Sequence, residues 1–445
     1  MRRVVLLAGG ALLAGAGLFM STGAGPTPAA SVGGPALAAA AAPPAATAPV
    51  ADQISSFDHL ADKTAKTVAA ATQVELDLDK IELVNGHYVA PLRDGRKATL
   101  TLDPELQKLA EKLLDQSRAP RGGIVAMTPD GRILAFAGRR TDEPKGGKNG
   151  KRDFSLVTGV WAPAASVFKI VTASALVANG YDTSSKVCYH GGVRSVMESN
   201  LVDSKRDGNC QTLAYGLAHS NNAILGKLAY QNLDPARLDS HARDLGWTSI
   251  LPASLGVKAL SGELALPKDK DLAFAKSAAG FMGSRLSVLG GSVLAATFAG
   301  GGEAPVPYLI ESIDGTQVAP PKKHRVVAKT VADAVGKMMV ETCDSGSASR
   351  TFRKKKTVKV AGKTGTLAIK EPFFMEHSWF VGFAPAEAPK VVVSVLLGNP
   401  ESWHIRGHEA AKRMIDRALG GATRSEEDRD AKPAKRRERP ARRTK

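Results

Sequence analysis

Residues 98 to 420 predict a mixed α/β domain. Its frame is an antiparallel five-stranded sheet flanked by helices, with an all-helical subdomain inserted between the second and third strands. Three observations carry this reading. A helix pattern followed by a hairpin pattern stands near residue 100. An Ala- and Leu-rich stretch fills residues 165 to 300. Three strand patterns and a final helix then close the folded part.

In chain order, Asp103-Pro104 is a helix-capping acid followed by proline at the first helical position. Leu106, Leu109, Ala110, Leu113 and Leu114 recur at helical spacing, which predicts an amphipathic helix over 104–117. "GGIVAMTPDGRILAFAG" is two apolar runs joined by Thr128-Pro129-Asp130-Gly131, the composition of a hairpin turn. The apolar stretch from Ser166 predicts a buried helix ending at Gly180. Strands are predicted at 358–369, 377–385 and 390–399, where Trp379 and Phe380 read as core. A helix over 407–419 is broken off by Gly420-Gly421.

The segments outside this domain have their own signatures. Met1-Arg2-Arg3 precedes an apolar run from Val4 to Met20 and then Ser21-Thr22-Gly23-Ala24. That order predicts an export signal or membrane anchor over 1–24, and its length fits either a cleaved signal or a retained anchor. Residues 25–50 are uncharged and rich in Ala and Pro, a tether too poor in large apolar groups to order itself. A short extension covers 51–97. The formal net charge is +17, and residues 431 to 445 hold eight Lys or Arg against Glu438, so 421–445 reads as a solvated basic tail with weak attraction to anionic surfaces. An exported chain without a base-reading motif excludes nucleic acid as partner. Three cysteines are too few for a disulfide scaffold. In an oxidising compartment Cys188 and Cys210 are placed to pair, and Cys343 reads as a buried thiol. No His/Cys cluster has zinc spacing and no cofactor motif is present.

The chemistry is carried by three short motifs. Gly362-Lys363-Thr364 imitates the end of a phosphate loop, but that loop needs glycine at 357, where Thr357 stands, and a helix afterwards. Ser166-Val167-Phe168-Lys169 puts a hydroxyl and an amine on one helical face. The helix start favours a developing negative charge, and an apolar helix favours a neutral lysine, which is what a base needs. Ser220-Asn221-Asn222 follows between two helical runs, and Lys363-Thr364-Gly365-Thr366 lies on a predicted strand. Each is weak alone: a lone Ser-x-Asn is usually a cap, and a lone Lys-Thr-Gly a strand end. The ordered trio is specific. His190-Gly191-Gly192 imitates an esterase oxyanion loop without a Gly-x-Ser-x-Gly elbow, and His408-Glu409 starts a zincin motif that Lys412 breaks.

With this trio, roughly residues 98 to 420 resemble the transpeptidase domain of penicillin-binding proteins. "TLTLDPELQKLAEKLL", "HSWFVGFAP" and "FMGSRLSVLGGSVLAATFAGGG" are similar to family segments as well. One departure is local: the family usually has Pro-Gly before the serine, and here Pro163-Ala164-Ala165 stands there. Another is the N-terminus, since residues 51 to 97 can hold neither a glycosyltransferase nor a long pedestal.

The resemblance implies a β-lactamase/transpeptidase-like fold and assigns roles. Ser166 would attack a stem peptide ending in D-alanyl-D-alanine, Lys169 would take its proton, and Ser220 and Asn222 would serve the leaving amine and the substrate amide. Lys363, Thr364 and Thr366 would bind the terminal carboxylate, with Gly365 letting substrate backbone approach. Amides of Ser166 and Thr366 would form the oxyanion hole, typically worth ~3 kcal/mol per donor. The expected partners are peptidoglycan stem peptides, β-lactams, the cytoplasmic membrane if the N-terminus is uncleaved, and cell-wall assembly proteins. The expected place is the periplasm or the outer face of the cytoplasmic membrane. The function implied is a D,D-transpeptidase; a D,D-carboxypeptidase, a β-lactamase and a β-lactam-binding receptor share the trio.

Overall fold

The computed structural model describes residues 74–420, apart from 142, 354–357 and 372. The expected export segment, the tether, the extension as far as residue 73 and the basic tail lie outside the described residues. Among those described, no helix is long and apolar enough to cross a membrane.

The first described elements form a sheet that the sequence reading did not anticipate. β1 (Glu82–Val84), β2 (His87–Pro91) and β3 (Lys97–Leu100) pair antiparallel. The boundary expected at residue 98 thus falls inside β3. Helix α1 (Pro104–Ser117) follows, and Asp103 accepts hydrogen bonds from the backbone N–H of Glu105 and Leu106, as an N-cap should. β4 (Arg121–Met127) and β5 (Ile133–Arg140) make the expected hairpin, extended by the two-residue β6 (Lys151–Arg152).

The inserted block is helical at heart, with α2 (Lys169–Ala178), α3 (Leu213–Ala218), α4 (Asn222–Asn232) and α5 (Val288–Ala299). It is not all-helical, however. Short strand pairs such as Lys186–Tyr189 with Asn209–Thr212 interrupt it, and β7 (Ile310–Ile313) returns to pair with β3. These strands of two to four residues are too short to show alternation in the sequence. The first pair is stapled by the expected Cys188–Cys210 disulfide, a closure of about 3 kcal/mol in the chain-entropy model.

After α6 (Lys329–Asp344) come β8 (Ala361–Ile369), β9 (Met375–Ala384), β10 (Val391–Asn399) and α7 (Gly407–Ala418). The main sheet runs β8-β9-β10-β4-β5-β6, antiparallel throughout, so the expected five long strands gain a short sixth. Alternation along β9 and β10 divides the core. Phe380, Val393, Val395 and Leu397 face α1 and α7, while Trp379, Val381, Val392 and Leu396 face the inserted block. Helix α5 is buried from Val288 to Phe298, which explains why its sequence is apolar on every side. Burying each large apolar side chain contributes about 1.5–3 kcal/mol. The sheet is thereby clamped between two apolar layers, with β8 as its edge strand.

Candidate active site

Ser166 does not open the α-helix itself. It lies in a 3-10 turn, Ala165–Phe168, that leads directly into α2 at Lys169. The turn is fixed from several sides: Phe168 packs edge-on against Trp247 at 5.0 Å, and Trp379 Nε1 of β9 donates to the Pro163 carbonyl at 2.9 Å. Ala165 has φ +50°, a left-handed conformation that costs a Cβ-bearing residue about 1–2 kcal/mol. The substitution noted in the sequence therefore falls where glycine is the easier residue.

Lys169 is fully buried, and its Nζ stands 2.8 Å from Ser166 Oγ, 2.7 Å from Asn222 Oδ1 and 2.7 Å from the Ala279 carbonyl. Burial, and secondarily the charge of Lys363, holds its pKa well below the ordinary lysine value. A neutral amine has two N–H donors and one lone pair. Asn222 Oδ1 and the Ala279 carbonyl can only accept, so they take both donors. The lone pair is left for the hydroxyl of Ser166. In that arrangement a neutral Lys169 can take the proton of Ser166.

The second motif is a turn between two helices. Ser220 has φ +55°, and Asn221 caps α4 by accepting from Ile224 N at 3.1 Å. That turn sends Asn222 back toward Lys169 and Ser220 toward β8. Lys363, buried on β8, donates to Ser220 Oγ at 3.0 Å and to the Thr364 carbonyl at 2.8 Å. Burial lowers the Lys363 pKa to about 7. The described structure thus brings the predicted residues into two hydrogen-bonded groups, Ser166–Lys169–Asn222 and Ser220–Lys363. They lie near enough for the charge of Lys363 to act on Lys169, with Thr364, Gly365 and Thr366 continuing along β8.

Gly365 lies where β8 meets the turn that carries Ser166. A Cβ there would stand 3.2 Å from Trp379 Cβ, 3.2 Å from Val167 Cγ2 and 3.3 Å from the Ala164 carbonyl. The missing side chain lets β8 press against that turn. Ser347 was not singled out in the sequence. Its Oγ is 2.6 Å from Thr364 Oγ1, and its N–H donates to the Ala218 carbonyl. It lies in a turn-rich stretch after α6, where a serine carries no chemical signature. Ala279 and Val193 act through backbone carbonyls and leave no trace in residue type.

The imitating motifs have structural uses. His190 Nδ1 faces Asp207 Oδ1 at 2.5 Å, and Glu409 accepts from Arg406 N in the capping box of α7. Trp379 and Phe380 are core, as expected, and Cys343 is a buried thiol whose pKa is pushed up by burial.

The penicillin-binding protein transpeptidase domain model matches residues 122–418. The chain belongs to that family. Stage V sporulation protein D of Bacillus subtilis is 29% identical over 335 residues, covering 70% of this chain and 51% of that protein. The chain therefore spans about half that relative's length. Peptidoglycan D,D-transpeptidase PbpA of Mycobacterium tuberculosis is 26% identical over 341 residues, 68% of each chain. The D,D-transpeptidase domain of an Eggerthella lenta peptidoglycan glycosyltransferase superposes with TM-score 0.57 at 26% identity, covering 73% of this chain and 83% of that one. M. tuberculosis penicillin-binding protein A, solved as an imipenem acyl-enzyme complex, gives TM-score 0.59 at 22% identity, with 73% and 80% covered. These likenesses carry the mixed α/β transpeptidase fold.

Proposed function

We infer that this transpeptidase-family chain is a serine D,D-transpeptidase that cross-links peptidoglycan stem peptides outside the cytoplasm and is inhibited by β-lactams. The observation that carries the reading is the setting of Lys169, whose buried Nζ stands 2.7 Å from two carbonyl acceptors and 2.8 Å from Ser166 Oγ. In the neutral amine the acceptors take both N–H donors, and the lone pair is left for the Ser166 hydroxyl proton. Ser166 attacks the carbonyl of the D-Ala–D-Ala bond and passes its proton to Lys169. Amides of Ser166 and Thr366 hold the oxyanion. Ser220 accepts from Lys363, so its own proton is free for the departing D-alanine nitrogen. Lys363, Thr364 and Thr366 hold the terminal carboxylate, with Ser347 steadying the Thr364 hydroxyl. An acceptor amine then attacks the acyl-enzyme and gives a proton to the Ser220 oxygen, while Lys169 returns the proton it took to Ser166 as the ester bond breaks. The apolar N-terminal segment supports export, with the membrane as its neighbour if the segment is retained.

The β-lactamase reading needs a carboxylate that aims water at the acyl group. Between Asn222 and Lys363 stand Glu263, Glu303, Glu311 and Glu341, and none has asparagine four residues on. Glu263 pairs with Arg285, Glu303 with Lys323 and Glu311 with Arg132, all away from Lys169 in the contacts they make. The experiment is to supply the purified protein with a D-alanyl-D-alanine stem peptide and an acceptor amine. Release of D-alanine together with amine-linked product is expected. Release of D-alanine with hydrolysed product alone would replace the transpeptidase by a carboxypeptidase.

A further inference from the structure

Helix α4 carries a buried cation that the reaction above does not use. Lys227, five residues beyond Asn222, is fully buried; its Nζ donates to the Cys188 carbonyl at 2.9 Å and pairs with Asp207 at 2.7 Å and Asp203 at 2.9 Å. Every one of these partners belongs to residues 188 to 210, the segment whose ends the disulfide joins. Asn222, at the start of the same helix, grips that segment again: its Nδ2 donates to the Val193 carbonyl at 2.8 Å. One helix therefore holds the closed segment at two points, and one of these is a residue of the candidate active site.

The segment is stiffened between those points. Asp207 also engages His190 Nδ1 and accepts from Ser204 N at 3.0 Å. Buried Asn200 donates to the His190 carbonyl at 2.7 Å and accepts from Met197 N at 2.9 Å. Gly192 has φ +59°, and a Cβ there would stand 2.7 Å from Asn200 Oδ1 and 2.8 Å from Ala223 Cβ. Stability alone does not ask for a buried lysine and aspartate, since apolar side chains of similar volume serve as well or better. Directional contacts fix geometry, and the geometry delivered here is that of the Val193 carbonyl.

We propose that the disulfide-closed segment 188–210, anchored by Lys227, is a positioning device that sets which end of the Asn222 amide faces Lys169. A carbonyl only accepts, so Val193 selects the Nδ2 end of the amide and leaves Oδ1 for Lys169. In the reversed amide, an Nδ2 hydrogen would point at the lysine nitrogen and occupy the lone pair that Ser166 needs. The segment thereby keeps Lys169 available as a base without touching substrate. This rests on the reading of Lys169 as the base toward Ser166.

The test compares the wild type with Gly192→Ala, which displaces the Val193 carbonyl, and with the Cys188→Ser/Cys210→Ser double variant. The readouts are benzylpenicillin acylation rate against pH and Tm. Acylation is expected to fall by roughly a hundredfold in Gly192→Ala, the scale of a small misplacement at a reacting group. Its acidic limb is expected to move to lower pH, because the acceptor that favours protonated Lys169 is gone. Lys363, the charged group acting on Lys169 from β8, is unaltered in either variant. The double variant is expected to show the same shift in weaker form. Wild-type rates, or a fall in rate with an unmoved acidic limb and a lowered Tm, would overturn the proposal. A wild type that takes up no penicilloyl group would instead overturn the acyl-enzyme reading itself.

Discussion

Lys169 and Lys363 are both buried lysines, yet the chemistry asks opposite charge states of them. In the proposed mechanism Lys169 works neutral, and burial shifts its pKa in the direction that favours that form. Lys363 holds a carboxylate best as a cation, and its pKa of about 7 means the free protein loses that cation as pH rises through 7. Acylation kcat/KM by a carboxylate-bearing β-lactam is accordingly expected to decline on the alkaline side with a midpoint near 7. A profile flat to pH 9 would contradict this. Ala165 yields a second expectation. Ala165→Gly removes a left-handed penalty of about 1–2 kcal/mol and adds about 0.5–1 kcal/mol of unfolded-state entropy, so a small gain in Tm is predicted. An unchanged or lower Tm would show that the turn is not strained. Ser166, Lys169, Ser220, Asn222 and Lys363 were legible in the sequence because each has a distinctive side chain at a motif spacing. Ser347, and the carbonyls of Ala279 and Val193, were not legible, since a common serine and a backbone atom bear no such mark.

Two buried histidines make the inserted block and the sheet sensitive to acid. His241 lies beside α2 with Nε2 at 2.8 Å from Ser174 Oγ, and His377 lies on β9 beside the Leu367 carbonyl. Burial lowers both to about 4. The unfolded chain binds protons near 6.5, so it holds more protons than the folded chain between pH 6.5 and 4. Stability is therefore full above 6.5 and lost as pH falls toward 4, by on the order of 3 kcal/mol per histidine. His241→Gln should show a smaller drop in Tm between pH 7 and 5 than the wild type; an equal drop would remove His241 as a cause. At this scale, α1 appeared where Asp103-Pro104 and its leucine spacing placed it, and β8, β9 and β10 fell within a few residues of their patterns. The sheet of β1 to β3 escaped because it consists of short strands completed by Ile310–Ile313, far away in the chain. Pairing over such a distance leaves no local periodicity.

Across the whole molecule, the clamped sheet presents one edge strand to a turn that would rather be glycine and to a Ser-Asn turn in a left-handed conformation. Strain of this kind persists where the surrounding packing over-determines it, and here the layer that buries Ala164, Ala165, Val167, Leu217 and Ala223 supplies that constraint. The chain order that predicted the layers, with helices and strands on both sides of an insert, held because amphipathic periodicity is a property of each element alone. How the insert folds back on β8 depended on contacts between distant residues and became visible only in the structure. In the proposed transpeptidase, water attack without a positioned base is slowed by roughly 10²- to 10⁴-fold, so the penicilloyl enzyme should persist far longer than its formation takes. Rapid turnover of benzylpenicillin would contradict that. The central claim is that Ser166 is the nucleophile, and intact-mass measurement after exposure to benzylpenicillin tests it most directly. The wild type is predicted to gain one penicilloyl group and Ser166→Ala none; a full adduct on Ser166→Ala would contradict the assignment.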